Sequence, residues 1–287
     1  NFISDLKAPL ASNGTAIAGM YFSSGTSNVY AYNNTVYLNA SSSSAFFGSA
    51  ALYVVPSATL IVELKNNILI NNSTPGSGVT GNAVAYKRNG TTFLTSYSGN
   101  SNYNCLYAGT PSTKNLLFSD GTNTKQTTAE YFAYVTPRDG ASFSELPPFV
   151  NVAAAPYDLH LQTTVNTQCE SGGSVISTPN ITQDFDLDAR YPNPGYPNKI
   201  GYPASAPDVG ADEFGGQQND LAPPSISYTA ITNKPAGSTL TLNNFAMITD
   251  PSGVNTTAGT APRLYYKKSG DNNEIVPGNI SPDNGWK

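Results

Sequence analysis

Two segments of this chain superpose at a shift of 32 residues: Asn34, Val36, Leu38 and Asn39 fall on Asn66, Ile68, Ile70 and Asn71. A third run, YNCLYAG, places Asn104 and Leu106 in similar positions after a longer gap. An asparagine ahead of a short β-branched strand, repeated in this way, is the sequence mark of a solenoid. One coil alone cannot bury its apolar face, so neighbours stack, and amides at equivalent corners hydrogen-bond from coil to coil. The repeat therefore predicts parallel strands with Val36 and Ile68 pointing inward, and it assigns Asn34 and Asn66 to equivalent structural corners. The spacing exceeds one bare coil, which implies loops inserted on one flank.

The rest of the chain agrees with an all-β reading. Long helical periodicity is nearly absent, while short β-branched and aromatic runs at 28–38, 58–70, 91–97 and 103–107 recur between Gly, Asn and Ser clusters. With 39% hydrophobic residues, 18 Tyr and 12 Phe, the chain has material for a core. Only 11% of its residues are charged, against about a quarter in ordinary soluble domains, so solubility comes from amides and hydroxyls. Such a surface suits a secreted or cell-surface protein that meets glycans or other neutral polar partners. A net charge of -5 with 14 thinly spread Lys and Arg offers no field for phosphates and excludes nucleic acid as a partner. No stretch approaches the length of a membrane-spanning helix. The opening NFISDLKAPL and the closing SPDNGWK both read as cut from a longer polypeptide.

From Pro147 the texture changes to short landmarks: PPFVN at 147–151, YDLHL at 157–161, DFDLDAR at 184–190 and PDVGADEF at 207–214. The polar, Gly/Pro-containing GGQQNDLAPP follows and reads as a linker. Beyond it, SISYTAI, STLTLNNFAMI and RLYYKK read as three strands separated by turn signals, as in a sandwich module. About 64 residues follow the linker, too few for seven strands. The organisation read from sequence is thus 1–214 as a parallel β-helix with its closing segment, 215–223 as linker, and 224–287 as a partial immunoglobulin-like module.

The landmarks resemble the C-terminal end of secreted bacterial right-handed parallel β-helix proteins of the pectate-lyase-like superfamily. The matching residues are Pro148, Phe149, Val150 and Asn151; Asp158, His160 and Leu161; Asp186, Asp188 and Arg190; and Pro207, Asp208, Gly210, Ala211, Glu213 and Phe214. The resemblance spans roughly 20–214, with ESGGSVI at 170–176 departing from the family phrase. The downstream module, ITDPSGVNTTAGTAPRLYYKK with a terminal DNGWK, is similar to immunoglobulin-like repeats of large surface adhesins of gliding bacteria. Together these imply a right-handed β-helix followed by an adhesin-type repeat, exported by an outer-surface or secretion machinery.

The fold is shared by lyases, glycosidases and non-catalytic binders, so chemistry must be read from residues. A hydrolase needs a carboxylate pair flanking the bond, and no such pair stands in the coils. The single histidine, His160, lies inside YDLHL and reads as a packing or turn residue. A lyase acting on acidic polysaccharide needs acidic Ca²⁺ ligands and a base. Asp184, Asp186 and Asp188 alternate along DFDLD, which would place three carboxylates on one strand face as a candidate Ca²⁺ site. The EF-hand pattern is missing there, because Ala189 and Gly195 stand where Gly and Glu are required. The adjacent pair Lys87 and Arg88, and Glu63 with Lys65 two positions on, are candidate sugar contacts. Tyr30, Tyr32 and Tyr37 are candidates for stacking on sugar faces. Arg190 is the one base near Asp184, Asp186, Asp188, Asp208, Asp212 and Glu213, which predicts a partner among the acids of PDVGADEF. Cys105 and Cys169 leave both a disulfide and a reduced pair open. The reading that results is a non-catalytic adhesin segment binding glycans or surfaces, with no required cofactor; the alternative is a polysaccharide lyase or glycoside hydrolase.

Overall fold

The computed structural model describes residues 1–23, 28–57, 60–90, 94–190, 206–219, 224–231, 239, 241–250, 253–257 and 261–264. The chain divides into two units, Asn1–Asn219 and Asp220–Lys287. Unit 1 is a parallel β-solenoid of about three turns. Its strands in chain order are β1 (Phe2–Ile3), β2 (Ile17–Phe22), β3 (Val29–Tyr32), β4 (Thr35–Leu38), β5 (Ser49–Val54), β6 (Val62–Lys65), β7 (Ile68–Asn71), β8 (Ala83–Arg88), β9 (Cys105–Tyr107), β10 (Asn115–Ser119) and β11 (Thr124–Lys125). They stack into three faces. Sheet I runs β1-β4-β7-β9, sheet II runs β2-β5-β8-β10 with β11 added antiparallel, and sheet III pairs β3 with β6. Parallel bridges at Val62–Tyr97 and Lys65–Asn102 extend sheet III by another coil.

The corner between sheets III and I explains the asparagines. Each coil turns there through a dipeptide, Asn33-Asn34, Asn66-Asn67 or Tyr103-Asn104, whose first residue sits at positive φ (51°, 54° and 60°). Asparagine tolerates that left-handed conformation better than other side chains. The second residue builds a ladder through the coils: Nδ2 of Asn34 donates to Oδ1 of Asn67 at 2.9 Å, and Nδ2 of Asn67 donates to Oδ1 of Asn104 at 2.9 Å. Asn1 donates to Asn34 at one end, and Asn104 donates to the buried carboxylate of Asp139 at the other.

The register therefore differs from the sequence superposition by one residue. Thr35 pairs with Ile68 and Val36 with Leu69, so the equivalent of Asn34 is Asn67, not Asn66. A slip of one residue sends every side chain of a strand to the opposite face. Val36 and Leu69 lie in the solenoid interior with Leu38, Leu52, Leu64, Tyr86 and Phe118. Ile68, expected inside, faces outward and packs with Tyr37, Ile70 and Cys105.

Helix α1 (Thr128–Val135), started by a capping box between Thr127 and Glu130, buries Tyr131 and Val135 in the interior cluster. The chain then returns along the outside of sheet I. PPFVN and YDLHL form an antiparallel pair, β12 (Phe149–Asn151) with β13 (Asp158–Leu161), and β14 (Asn166–Thr167) pairs with β15 (Gln217–Gln218). Phe149, Leu159, Leu161, Cys169, Val209 and Phe214 of this covering segment pack on the outward residues of sheet I. Gly210, with φ of +109°, brings the backbone so close that an added Cβ would lie 2.6 Å from Cδ1 of Ile68. Its N–H donates to the carbonyl of Asn66, and Ala211 N–H donates to Oγ1 of Thr35. Asn66, which is outside the ladder, uses its side-chain amide to hold both the N–H and the carbonyl of Ser174.

In unit 2 the described residues contain one antiparallel pair, β16 (Ser225–Tyr228) with β17 (Ala246–Thr249), and no second sheet. The turn NKPAG, the end of the expected strand RLYYKK beyond Leu264, and the terminal DNGWK lie outside the described residues. No helix among the described residues is long and apolar enough to cross a membrane.

Candidate functional site

Alternation along β3 and β6 sends Ala31, Val62 and Leu64 inward, and Tyr30, Tyr32, Glu63 and Lys65 to the outer face of sheet III. Tyr30 stands opposite Glu63 and Tyr32 opposite Lys65 in the pairing. Glu63 is the hub of this face. Its Oε1 accepts from the Tyr32 hydroxyl at 2.8 Å and lies 2.8 Å from Nζ of Lys65, while Oε2 accepts from Oγ of Ser98 at 2.9 Å and Nδ2 of Asn100 at 3.4 Å. Burial alone would raise the pKa of Glu63, but the bonds from Lys65, Tyr32 and Ser98 outweigh it and hold the carboxyl below its usual range. Burial and the same bond to Glu63 push the Tyr32 hydroxyl well up. The carboxylate is thus held in its charged form by four donors, which suits positioning. The Tyr32 ring is fixed through its hydroxyl, with the ring of Tyr30, 56% exposed, 5.9 Å away.

Sheet II carries a second aromatic ladder on its outer side. Tyr21 and Tyr53, adjacent in register, stack with centroids 5.3 Å apart, and Nζ of Lys87 lies 5.5 Å from the Tyr53 ring. Lys87 donates to the carbonyl of Gly14 and the hydroxyl of Thr15, and burial lowers its pKa.

Two of the expected sugar contacts are placed elsewhere. Arg88 points into the solenoid, because the period of two that directs Tyr86 inward directs Arg88 inward as well. Its guanidinium is fully buried, donates to the Tyr86 hydroxyl and to Oγ of Ser96 at 2.6 Å each, and lies 5.6 Å from the Tyr97 ring. Tyr37 is 4% exposed beneath Phe149 and Tyr157, since the covering segment buries the outer face of sheet I.

The aspartate triplet is not a strand face. Residues 183–189 close a tight loop with Leu187 at φ of 72°, in which Oδ1 of Asp184 accepts the N–H groups of Asp186 and Asp188. Asp side chains favour such local turns over extended strands. The other oxygen of Asp184 accepts the N–H of Glu213. Only Asp186 joins a group able to hold a cation, together with His160 and Asp212, whose donor atoms lie within 4.8 Å of one another.

His160 stands in a constellation that its place in YDLHL does not announce. Nδ1 contacts Oδ1 of Asp158 at 2.5 Å and Nε2 contacts Oδ2 of Asp186 at 2.8 Å. Burial works against the imidazolium, but the bonds to Asp186 and Asp158 dominate and lift the pKa to about 9. At neutral pH both ring nitrogens therefore carry protons that are already donated. The ring is a tie between β13 and the 183–189 loop, and a metal ion or a general-base role would first require removal of a proton. Because the folded pKa exceeds the unfolded value of 6.5, the tie's stabilisation is complete below about pH 6.5 and is lost as pH rises through about 9. With the groups 37–45% exposed, screening reduces it to the order of 1 kcal/mol. The stability difference between the wild type and His160→Gln in urea titrations is expected to shrink by that amount between about pH 6 and pH 10. A difference that grows with pH would refute the tie.

Arg190 is held among the closing acids. Nη1 donates to Oε2 of Glu213 at 3.0 Å, and Nη2 donates to the carbonyls of Gly210 and Ala211. Nearby, burial and then the charges of Glu170 and Glu213 push the Asp208 carboxyl well up, although it accepts the N–H groups of Ser171 and Phe214. This cluster is buried within the covering segment: Arg190, Asp208, Glu213 and Glu170 are each at most 5% exposed.

No family model, curated protein or solved structure matches the chain. What the site does must therefore come from its own chemistry.

Proposed function

We propose that this chain is a non-catalytic binding segment of a large secreted cell-surface protein of the adhesin kind, which takes up glycans through the outer face of sheet III. The observation that carries the reading is the pair Tyr30 and Tyr32, side by side on that face, with the Tyr32 ring clamped by Glu63. An aromatic ring next to fixed amide, hydroxyl and ammonium groups presents a stacking surface and hydrogen-bond partners together. Glu63 and Lys65 cancel each other's charge, which favours a neutral sugar face over an acidic one. The low charge of the chain, and the resemblance of its closing phrases and second module to right-handed β-helix proteins and to the immunoglobulin-like repeats of gliding-bacteria adhesins, support the same reading and a location at the cell surface.

A second reading, a polysaccharide lyase or hydrolase, is favoured by the grouping of His160 with Asp158, Asp186 and Asp212. One experiment separates the two. The purified chain is run by affinity electrophoresis through gels containing neutral or uronate polysaccharides, and the same polysaccharides are assayed for unsaturated products and new reducing ends, with and without Ca²⁺. Retardation by a neutral polysaccharide, weakened at least about tenfold (~1.4 kcal/mol) in Tyr30→Ala/Tyr32→Ala, without cleavage, is the expected result. Retardation indifferent to that substitution would remove the sheet III site, and turnover abolished by His160→Ala would put the enzyme in its place.

A further inference from the structure

We propose that Cys105 and Cys169 are the two halves of a disulfide that locks the covering segment onto sheet I. They are the only cysteines of the chain, 64 positions apart, so no other intramolecular pairing exists. Cys105 opens β9 and Cys169 follows β14, yet both are fully buried in one cluster with Ile68, Ile70 and Phe149. Burial raises the Cys169 thiol pKa, and the neighbouring Cys105 raises it further. Both also converge on one residue: Sγ of Cys105 lies 3.5 Å from the carbonyl of Glu145, and Sγ of Cys169 lies 3.6 Å from Oε1 of the same residue.

The location gives the bond a purpose. Among the described residues, strands β12 to β15 pair only with one another, so the covering segment is held on the solenoid there by side-chain packing and by single contacts such as those of Gly210 and Ser174. A cross-link from β9 to the loop after β14 ties it to the ladder of coils, and persists in an oxidising exterior.

The chemistry is a thiol–disulfide exchange with a small-molecule disulfide such as oxidised glutathione. The thiolate of one cysteine attacks the reagent's S–S bond and expels one thiolate, giving a mixed disulfide. The second cysteine then attacks the protein sulfur of that mixed disulfide, forms the Cys105–Cys169 bond and releases the second thiolate. Two protein thiols lose two electrons and two protons, and the reagent becomes two thiols. Burial holds the Cys169 thiol protonated in the folded state, so the exchange takes place while the covering segment is still off sheet I, and the finished bond is shielded from reductant.

The test is to unfold the full chain in denaturant with reductant, then refold it in a buffer of reduced and oxidised glutathione or in reductant alone. After oxidative refolding, the expected results are a mass lower by two hydrogens, no thiol reactive toward an aromatic disulfide reagent even in denaturant, and a peptide joining Cys105 to Cys169 in a non-reducing digest. The oxidised form should melt higher than the reduced one by on the order of 10 °C, and Cys105→Ala/Cys169→Ala should melt alike in both buffers. Two free thiols in a natively folded, oxidatively refolded chain would overturn the proposal. So would glutathione adducts in place of the cross-link, or an oxidised form that melts no higher than the reduced. These readouts use the wild type, so they stand even if the double variant does not fold.

Discussion

Asp139→Ala is expected to cost unit 1 about 4 kcal/mol, a large share of the total stability of an ordinary domain. The carboxylate is fully buried and accepts four bonds: Oδ2 from the hydroxyls of Tyr97 (2.5 Å) and Tyr131 (2.6 Å), and Oδ1 from Asn104 (3.0 Å) and Ser142 (2.7 Å). It is the acceptor on which the asparagine ladder ends, so its loss takes the partner from the last amide donor and from two tyrosine hydroxyls in the buried interior. The buried Arg88, which bonds the neighbouring Tyr86, loses a nearby opposite charge at the same time. Far-UV circular dichroism in urea should show the midpoint falling with the slope unchanged. Asp139→Asn, which keeps one acceptor oxygen and suits the positive φ of 56°, should lose about half as much. Equal losses in both variants, or none in either, would mean that the ladder does not end here.

The second large effect is expected at Arg190. With side-chain exposures of 3% for both partners, Arg190→Ala leaves Glu213 buried beside Asp208 and Glu170 with no guanidinium among them. Breaking such a pair costs about 3–5 kcal/mol. The pH dependence follows from the acids that remain. Asp208 and Glu170 already have raised pKa values in the wild type, through burial first and, for Asp208, the neighbouring carboxylates Glu170 and Glu213 next. Groups raised on folding stabilise the fold fully below their unfolded pKa, and lose that contribution as pH climbs through the folded value. Removing Arg190 adds Glu213 to that set, so the deficit of the variant should be largest at neutral and alkaline pH and should shrink on acidification toward about pH 5. A deficit that is independent of pH would show that packing, and not charge, accounts for the loss.

The coil repeat was legible because each corner demands an amide at a fixed place, and Asn-Asn and Tyr-Asn recur there. The register was not. In a dipeptide of two asparagines either residue fits the superposition, and only the left-handed backbone of Asn33 and Asn66 decides which side chain enters the ladder. That one-residue ambiguity also misplaced Ile68, because alternation converts a slip in register into a change of face. Arg88 was misread for the related reason that Lys-Arg looks like a surface pair, whereas neighbouring strand positions face opposite sides. Charge counting points toward a partner for Arg190 among the closing acids, but it does not choose Glu213 or reveal that two carbonyls share the guanidinium. The constellation of His160 with Asp158, Asp186 and Asp212 joins residues up to 54 positions apart, across a segment whose folding back over sheet I leaves no local signature. Tyr30, Tyr32, Glu63 and Lys65 were visible as alternating strand positions. Their assembly into one face required the pairing of β3 with β6.

The register of the solenoid is tested most directly by double-mutant cycles at the corner asparagines, measured as unfolding free energies of Asn34→Ala combined in turn with Asn67→Ala and with Asn66→Ala. Any strain from alanine at the positive φ of position 66 appears in both the single and the double variant, and cancels within its cycle. Stacked coils with Asn34 bonded to Asn67 predict a coupling of about 1 kcal/mol or more for the first pair, and about 0.3 kcal/mol or less for the second. Coupling of Asn34 to Asn66 in place of Asn67, or to neither, would contradict the ladder and the coil register built on it.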